Sequence, residues 1–323
     1  MGSMSEGSIL IVSPALASSN NGNWHTASRW RTFLSAFAPT EIIQQWDGEP
    51  ARALVALHAR RSAQSIARFR EVHPNRPIAL VLTGTDVYGE MASDDSARQS
   101  LRCATHLVVL QAEALNRLEP ADCAKARVIV QSAPVVLCAD RQVQRVDYVA
   151  VGHLRSEKDP LALMQAARLL LGTGIQIVHV GEALDPALGA EARRTMDQCP
   201  NYRWLGNLPQ PEARRRIACA RALVHMSRLE GGANVVIEAV RSQVPVLASR
   251  IDGNVGLLGR DYDGYFSCGS AVELAQLMQR MLDEPSFAER LQAQGAVREA
   301  LFEPAAEAAA VQALLSDMLR ESA

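Results

Sequence analysis

SRLEGGANVVIEAVRSQVPVLASRIDGN, residues 227–254, is the stretch that decides the fold. Gly231 and Gly232 permit a tight backbone turn. It lies between an acidic residue, Glu230, and an apolar segment of helical spacing that begins near Ala233. A helix starting there leaves free N–H groups that suit a phosphate. Glu230 precedes that helix and Glu238 lies about two turns inside it. A buried strand, Val246–Ser249, follows. Two glutamates alone would read as a loop acid and a surface residue. Set in this run, they read as ligand groups.

Outward from this run, short apolar segments alternate with helical patterns almost from end to end. Strands are predicted at Ile9–Ser13, Glu41–Gln45, Leu54–His58, Ile78–Leu82, His106–Leu110 and Arg127–Gln131, then at Tyr148–Val151, Gln176–Val180, Tyr202–Leu205 and Leu223–His225. Helices are predicted between them, among them Gly22–Ala36, Arg61–Val72, Ser96–Ala104, Glu113–Leu118, Pro160–Leu171, Pro186–Gln198 and Pro211–Ala220. Such alternation implies α/β architecture, with parallel sheets covered on both faces. The pattern breaks at Ala133–Asp147, APVVLCADRQVQRVD. That break predicts two Rossmann-like, doubly wound domains, residues 8–140 and 147–300, facing across a cleft. Ligands are then expected beyond the carboxyl ends of the strands. An Ala-rich amphipathic segment, 301–320, is expected to return as a helix to the first domain.

The 323 residues are 48% hydrophobic and 21% charged, a globular composition. A net charge of −2 offers no electrostatic case for nucleic acid or an anionic membrane, so any anion site must be local. The six cysteines, Cys103, Cys123, Cys138, Cys199, Cys219 and Cys268, show no metal-ligand spacing. They are expected to be mostly buried thiols in a reducing compartment. The start, MGSMSEGS, has neither the basic nor the apolar region of a secretory signal, and no apolar run reaches transmembrane length. The expectation is a cytoplasmic protein with small-molecule substrates.

Two further segments of the second half carry chemistry. In VGHLRSEKDPLALMQ, from Val151, a strand end leads into a loop with Arg155 and Lys158, then a helix opened by Pro160 with Asp159 at its N-cap. A guanidinium and an ammonium so placed suit a diphosphate, although each alone also reads as a solvated loop cation. In Trp204–Pro209, WLGNLP, the loop at Asn207 and Leu208 suits a base held through backbone groups. Together with the Glu230–Glu238 run, these segments resemble the nucleotide-sugar half of GT-B glycosyltransferases, glycosyltransferase family 4 in particular. The resemblance implies that Arg155 and Lys158 meet the donor pyrophosphate, Glu238 the ribose, Glu230 the donor sugar, and the Asn234 and Val235 amides a phosphate. His153 stands where many members carry Arg, so Arg155 is expected to have taken over that charge.

The first half places polar clusters at four strand ends. SSNNGNWHTASRW puts Asn21, Gly22, Asn23, His25 and Arg29 at a helix start, a placement suited to a phosphate or a reacting sugar. LHARRSAQSI puts His58, Arg60, Arg61 and Ser62 after another strand. LTGTDVYGE supplies Thr85 and Asp86, the latter a general base or, more commonly for such an Asp, a turn cap. VIVQSAPV supplies Gln131 and Ser132. With VGHLRSEKDP and RIDGNVGLLGRDYDGYF, these segments resemble the selenosugar synthases of bacterial selenoneine biosynthesis. What that implies is hexose transfer from a UDP-sugar, UDP-N-acetylglucosamine or UDP-glucose, to selenophosphate, with release of UDP and phosphate. Asn21, Gly22, Asn23, Arg60, Arg61 and Thr85 would bind the acceptor, and His25 would contact the reacting centre or the acceptor phosphoryl group. No cofactor or metal is expected, since cationic side chains carry the counter-charge. Functional links to a selenophosphate supplier and to a downstream C–Se bond-forming enzyme are implied as well. The alternative is a conventional family 4 enzyme with a small hydroxyl or phosphate acceptor. A silent nucleotide-sugar sensor on the same fold is a third reading.

Overall fold

The computed structural model describes residues 7–15, 22–138 and 147–320. The chain forms two compact units. One holds the residues up to Gln131, the tripeptide Glu230–Gly232 and the chain from Pro304 onward; the other holds Ser132–Leu229 and Ala233–Glu303.

The first unit runs β1 (Ile9–Val12), α1 (Gly22–Leu34), β2 (Thr40–Ile43), β3 (Ala53–Leu57), α2 (Ala63–Val72), β4 (Ile78–Leu82), α3 (Asp95–Cys103), β5 (His106–Val109), α4 (Pro120–Cys123) and β6 (Ala126–Val128). Its strands pair in the order β2-β1-β3-β4-β5-β6, all parallel. The continuous apolar runs resolve into two faces with the period of two that a strand imposes. Leu10, Val12, Leu54, Ala56, Leu80 and Leu107 pack with Ile66 and Phe69 of α2 and Leu101 of α3. Ile9, Ile11, Val55, Leu57, Val81 and Val108 pack with Trp30 and Leu34 of α1 on the other face.

The second unit runs β7 (Asp147–Val151), α5 (Pro160–Leu169), β8 (Gln176–Val180), α6 (Pro186–Gln198), β9 (Tyr202–Trp204), α7 (Gln210–Ala218), β10 (Ala222–His225), α8 (Asn234–Arg241), β11 (Val246–Ser249), α9 (Asp252–Leu258), β12 (Tyr265–Phe266), α10 (Ala271–Asp283) and α11 (Pro285–Ala296). Its order is β9-β8-β7-β10-β11-β12, again all parallel. In each sheet the chain order reverses once, between β1 and β3 in the first and between β7 and β10 in the second. Crevices at the carboxyl ends of such switch points are where open α/β sheets take ligands.

The last helix, α12 (Pro304–Arg320), belongs to the first unit. Its Val311, Leu314, Leu315 and Met318 join the α1 face of the core. Glu307 is buried within that face and accepts bonds from Arg29 Nε at 2.9 Å and Trp30 Nε1 at 2.9 Å. Arg29 therefore anchors the C-terminal helix and is not placed for an anion, as its neighbours in sequence suggested.

The structure departs from the sequence reading in other places. Cys138 and Cys219 form a disulfide, Cys268 is exposed, and only Cys199 is a buried free thiol. The expectation of mostly buried thiols is corrected accordingly. The partners lie 81 residues apart, so no local spacing marks them. Glu113–Leu118 proves to be a 3-10 turn, Ala112–Arg117, begun by the Gln111 side chain, which accepts the Glu113 N–H. The short elements α9 and β12 were not predicted in the Gly-punctuated run RIDGNVGLLGRDYDGYF. Among the described residues, no helix is long and apolar enough to cross a membrane.

Candidate active site

In the second unit the β7 and β8 exits approach closely. Gly181 has φ of +151°, and a Cβ there would fall 2.0 Å from the Gly152 carbonyl oxygen, so only glycine fits. His153 Nδ1 accepts the Glu182 N–H at 3.1 Å, which engages His153 in holding the two exits together. The next residues, Ser156–Lys158, form one 3-10 turn. Arg155 and Lys158 thus sit on a short, fixed loop at the carboxyl end of β7. Arg155 Nε is buried without a hydrogen-bond partner, with the Glu157 carboxylate 4.0 Å away. A buried guanidinium N–H without a hydrogen bond is costly, and an anionic ligand would supply the acceptor.

Asp159 occupies the N-cap position of α5 in a left-handed conformation, φ +46°, and makes no side-chain capping bond. It is at the predicted N-cap position, but its carboxylate pairs with the Arg228 guanidinium at 2.9 Å instead of the helix N–H groups. The Arg228 N–H also donates to the Glu157 carbonyl at 2.8 Å, tying the β10 exit to the β7 loop. From that exit the chain reaches α8, with Asn234 and Val235 in its first turn. Glu238, one of the buried residues of α8, accepts a bond from Arg214 Nε at 2.7 Å. Arg214 comes from α7 and was not singled out in sequence, where it is one of three consecutive arginines. The second unit thus carries Arg155 and Lys158 in the loop after β7, and Asn234 and Val235 at the start of α8, which follows β10, the neighbour of β7 across the switch point, with Glu238 further along α8. Asn207 and Leu208 follow the edge strand β9, two strands from β7, after Gly206 with φ of +70°.

In the first unit the exits of β3 and β4 are locked by one buried carboxylate. Asp86 Oδ1 accepts the N–H groups of Thr83, Gly84 and Val87 at 2.9, 2.7 and 3.1 Å, and Oδ2 accepts that of Ala59 at 3.0 Å. Fully buried and bonded to four backbone N–H groups, Asp86 is a turn clamp, not a general base. His58, buried and with φ of +74°, contacts Thr85 Oγ1 at 2.9 Å through Nε2. Arg60 is paired with Glu90 at 2.8 Å, so part of its charge is already answered, while Arg61 lies exposed beside it. Burial holds the His58 pKa below the usual imidazole value, against the opposing pull of Asp86 and Glu90.

The tripeptide Glu230–Gly232 lies against this same loop. A Cβ on Gly231 would sit 2.4 Å from the Thr83 carbonyl, and one on Gly84 would sit 2.7 Å from Gly231 N. Both glycines are required by that approach, and Glu230 is thereby set beside the Thr83–Thr85 turn. At the start of α1, Gly22 and Asn23 lead to a half-buried His25. The Thr26 hydroxyl donates to the Gly22 carbonyl and accepts from Gln131 Nε2. Asn21 lies outside the described residues. Among the described residues, no group of three or more His, Cys, Asp and Glu side chains is gathered as metal ligands would be.

Two parallel, doubly wound sheets with a C-terminal helix closing on the first are the GT-B fold. The chain superposes on the HepE protein of Anabaena, solved in complex with UDP-glucose, with a TM-score of 0.76 at 14% identity, covering 96% of this chain and 99% of that one. Sucrose-phosphate synthase from Thermosynechococcus elongatus gives 0.77 at 17% identity, covering 97% and 99%. Residues 141–298 match the family model of group 1 glycosyl transferases. A glycosyltransferase 1 domain-containing protein 1 of Xenopus tropicalis is 29% identical over 146 residues, which is 45% of this chain and 42% of that protein.

Proposed function

We propose that this protein transfers a hexose from UDP-N-acetylglucosamine or UDP-glucose to selenophosphate, as a selenosugar synthase. The observation that carries the donor half is the buried Arg155 Nε on the β7 loop, which has no hydrogen-bond partner and only the Glu157 carboxylate 4.0 Å away, in the same loop as Lys158. All of these residues fall inside the stretch that matches the group 1 glycosyl transferase model. The complex of HepE with UDP-glucose supports a UDP-sugar as the ligand class. The acceptor half rests on the resemblance of the first-unit segments to selenosugar synthases. It is supported by donors and cations, Thr85, Arg60 and Arg61, at the exits of β3 and β4.

In this reading the selenium of selenophosphate attacks the anomeric carbon as the bond from that carbon to the UDP oxygen breaks. UDP leaves with the electron pair. Water then cleaves the Se–P bond, which gives phosphate and a 1-seleno-hexose. Arg155, Lys158 and the Asn234 and Val235 amides stabilise the departing diphosphate, in the manner of donors aimed where charge develops. Glu238 holds the ribose, Glu230 the hexose, and Asn207 and Leu208 the base. Selenium is a strong nucleophile without deprotonation, so catalysis rests on positioning and leaving-group stabilisation. His25 contacts the acceptor phosphoryl group.

The test is UDP release from UDP-N-acetylglucosamine with and without fresh selenophosphate, with mass detection of the sugar product. Selenophosphate-dependent UDP and a selenium-bearing sugar are expected. UDP release with small hydroxyl acceptors and none with selenophosphate would replace this reading by a conventional family 4 transferase. Tight UDP binding with no transfer to any acceptor would point to a sensor.

A further inference from the structure

His58 has a left-handed backbone, a conformation that non-glycine residues adopt rarely and chiefly at sites where the surroundings enforce it. Here the Asp86 clamp enforces it, because it holds Ala59 on one strand exit and Thr83–Val87 on the other. The imidazole is consequently fixed at both nitrogens. Nδ1 faces the Arg61 N–H at 3.3 Å and can only accept. In the neutral ring the proton then sits on Nε2, which donates to Thr85 Oγ1 at 2.9 Å. The nearest carboxylate oxygen, Glu90 Oε2, is 3.6 Å from Nε2, too far to take that proton. Burial keeps the ring neutral, and a second ring proton would meet the Arg61 N–H head on.

A hydroxyl that accepts from His58 has its own proton left to give. His58 is its only hydrogen-bond partner among the described residues. We propose that His58 is a positioning residue that turns the Thr85 hydroxyl proton outward, making it an oriented donor for the phosphoryl oxygens of an anionic acceptor. This deepens the acceptor reading above and rests on it. A threonine not so constrained would present lone pairs as readily as its proton, and lone pairs repel a phosphoryl group. The His58–Thr85 pair would thus select a phosphoryl acceptor over one that needs a hydrogen-bond acceptor from the protein.

Two measurements test this. In protein labelled with 15N-histidine, two-bond correlation spectra should show His58 with Nε2 protonated and Nδ1 bare across neutral pH. A ring protonated at Nδ1, or doubly protonated, overturns the proposal whether or not the enzyme uses selenophosphate. The second is a mutant cycle on the full chain, read as KM for selenophosphate. H58N suits the left-handed backbone and keeps an acceptor for the Arg61 N–H, but removes the donor to Thr85. T85V and H58N should each raise that KM roughly tenfold or more. The double variant should be no worse than T85V alone, H58Q should recover most of the loss, and KM for the UDP-sugar should hold within about twofold. Additive losses, or equal losses in both KM values, would make His58 merely structural and refute the inference. If native protein shows no selenophosphate-dependent turnover, the functional reading fails, while the tautomer measurement still decides the state of the His58–Thr85 pair.

Discussion

Replacing Glu307 by Ala should loosen the attachment of α12 to the first unit. The Glu307 side chain is 0% exposed and that of Arg29 18%. The carboxylate accepts two bonds from the Arg29 guanidinium, at 2.9 and 3.2 Å, and one from Trp30 Nε1 at 2.9 Å. Removing one partner of a buried ion pair costs about 3–5 kcal/mol, because the other charge remains uncompensated. Arg29 keeps partial access to water, which sets the expectation at the lower end, about 3 kcal/mol. The orphaned Trp30 N–H is part of that figure and is not added to it. For a unit of this size such a loss lowers Tm by roughly 6–12 °C. Glu307→Gln keeps an acceptor for Trp30 but gives up the charge-assisted bonds, and should cost about 1–2 kcal/mol. Tryptophan fluorescence is the assay, since Trp24, Trp30 and Trp46 all belong to the first unit and only Trp204 to the second. A drop under about 2 °C for Glu307→Ala would refute the argument that this pair anchors α12.

Glu238→Ala should weaken UDP by about 1–3 kcal/mol through lost hydrogen bonds to ribose; unchanged affinity by calorimetry removes Glu238 from the donor site. Alkylation mass analysis without reductant should find Cys138 and Cys219 protected and the other four cysteines free once unfolded. Reducing that bond, which closes a loop of 81 residues, should lower the stability of the second unit by up to about 4 kcal/mol. His179 is fully buried, and burial pushes its pKa down to about 4 from the ordinary 6.5. The unfolded chain therefore binds this proton first, and stability present above pH 6.5 is lost as pH falls toward 4. A linkage of about 3 kcal/mol is at stake. Acid titration of stability should be flatter over that window in His179→Asn; an unchanged acid limb would mean that His179 is not the group titrating.

Much of the candidate donor site was legible because its residues sit at the ends of local patterns. Arg155 and Lys158 follow an apolar run and precede a proline-opened helix, so strand end, loop and helix start can be read from neighbours within ten positions. The Gly231–Gly232 turn and the register of Glu230 and Glu238 are likewise local. Three other features were not legible. Arg214 reaches Glu238 across 24 residues, Glu307 reaches Arg29 across 278, and Cys138 reaches Cys219 across 81. His58 was seen as one of several polar residues at a strand end. Its role depends on a positive φ and on the Asp86 clamp, neither of which has a sequence signature.

Sequence alone determined the alternation of strand and helix, because the periods of two and 3.6 are imposed by backbone geometry on whichever residues must be buried. It also determined that two such series exist, since the break at Ala133–Asp147 interrupts the pattern. Tertiary structure decided the order of the strands, and with it which loops share a switch point. It also decided that Glu230–Gly232 lies against Thr83–Gly84 in the first unit. Those outcomes depend on how whole faces compete to be buried against one another. Hydrophobic burial is non-directional and names no partner, so the partners appear only once the sheets are assembled.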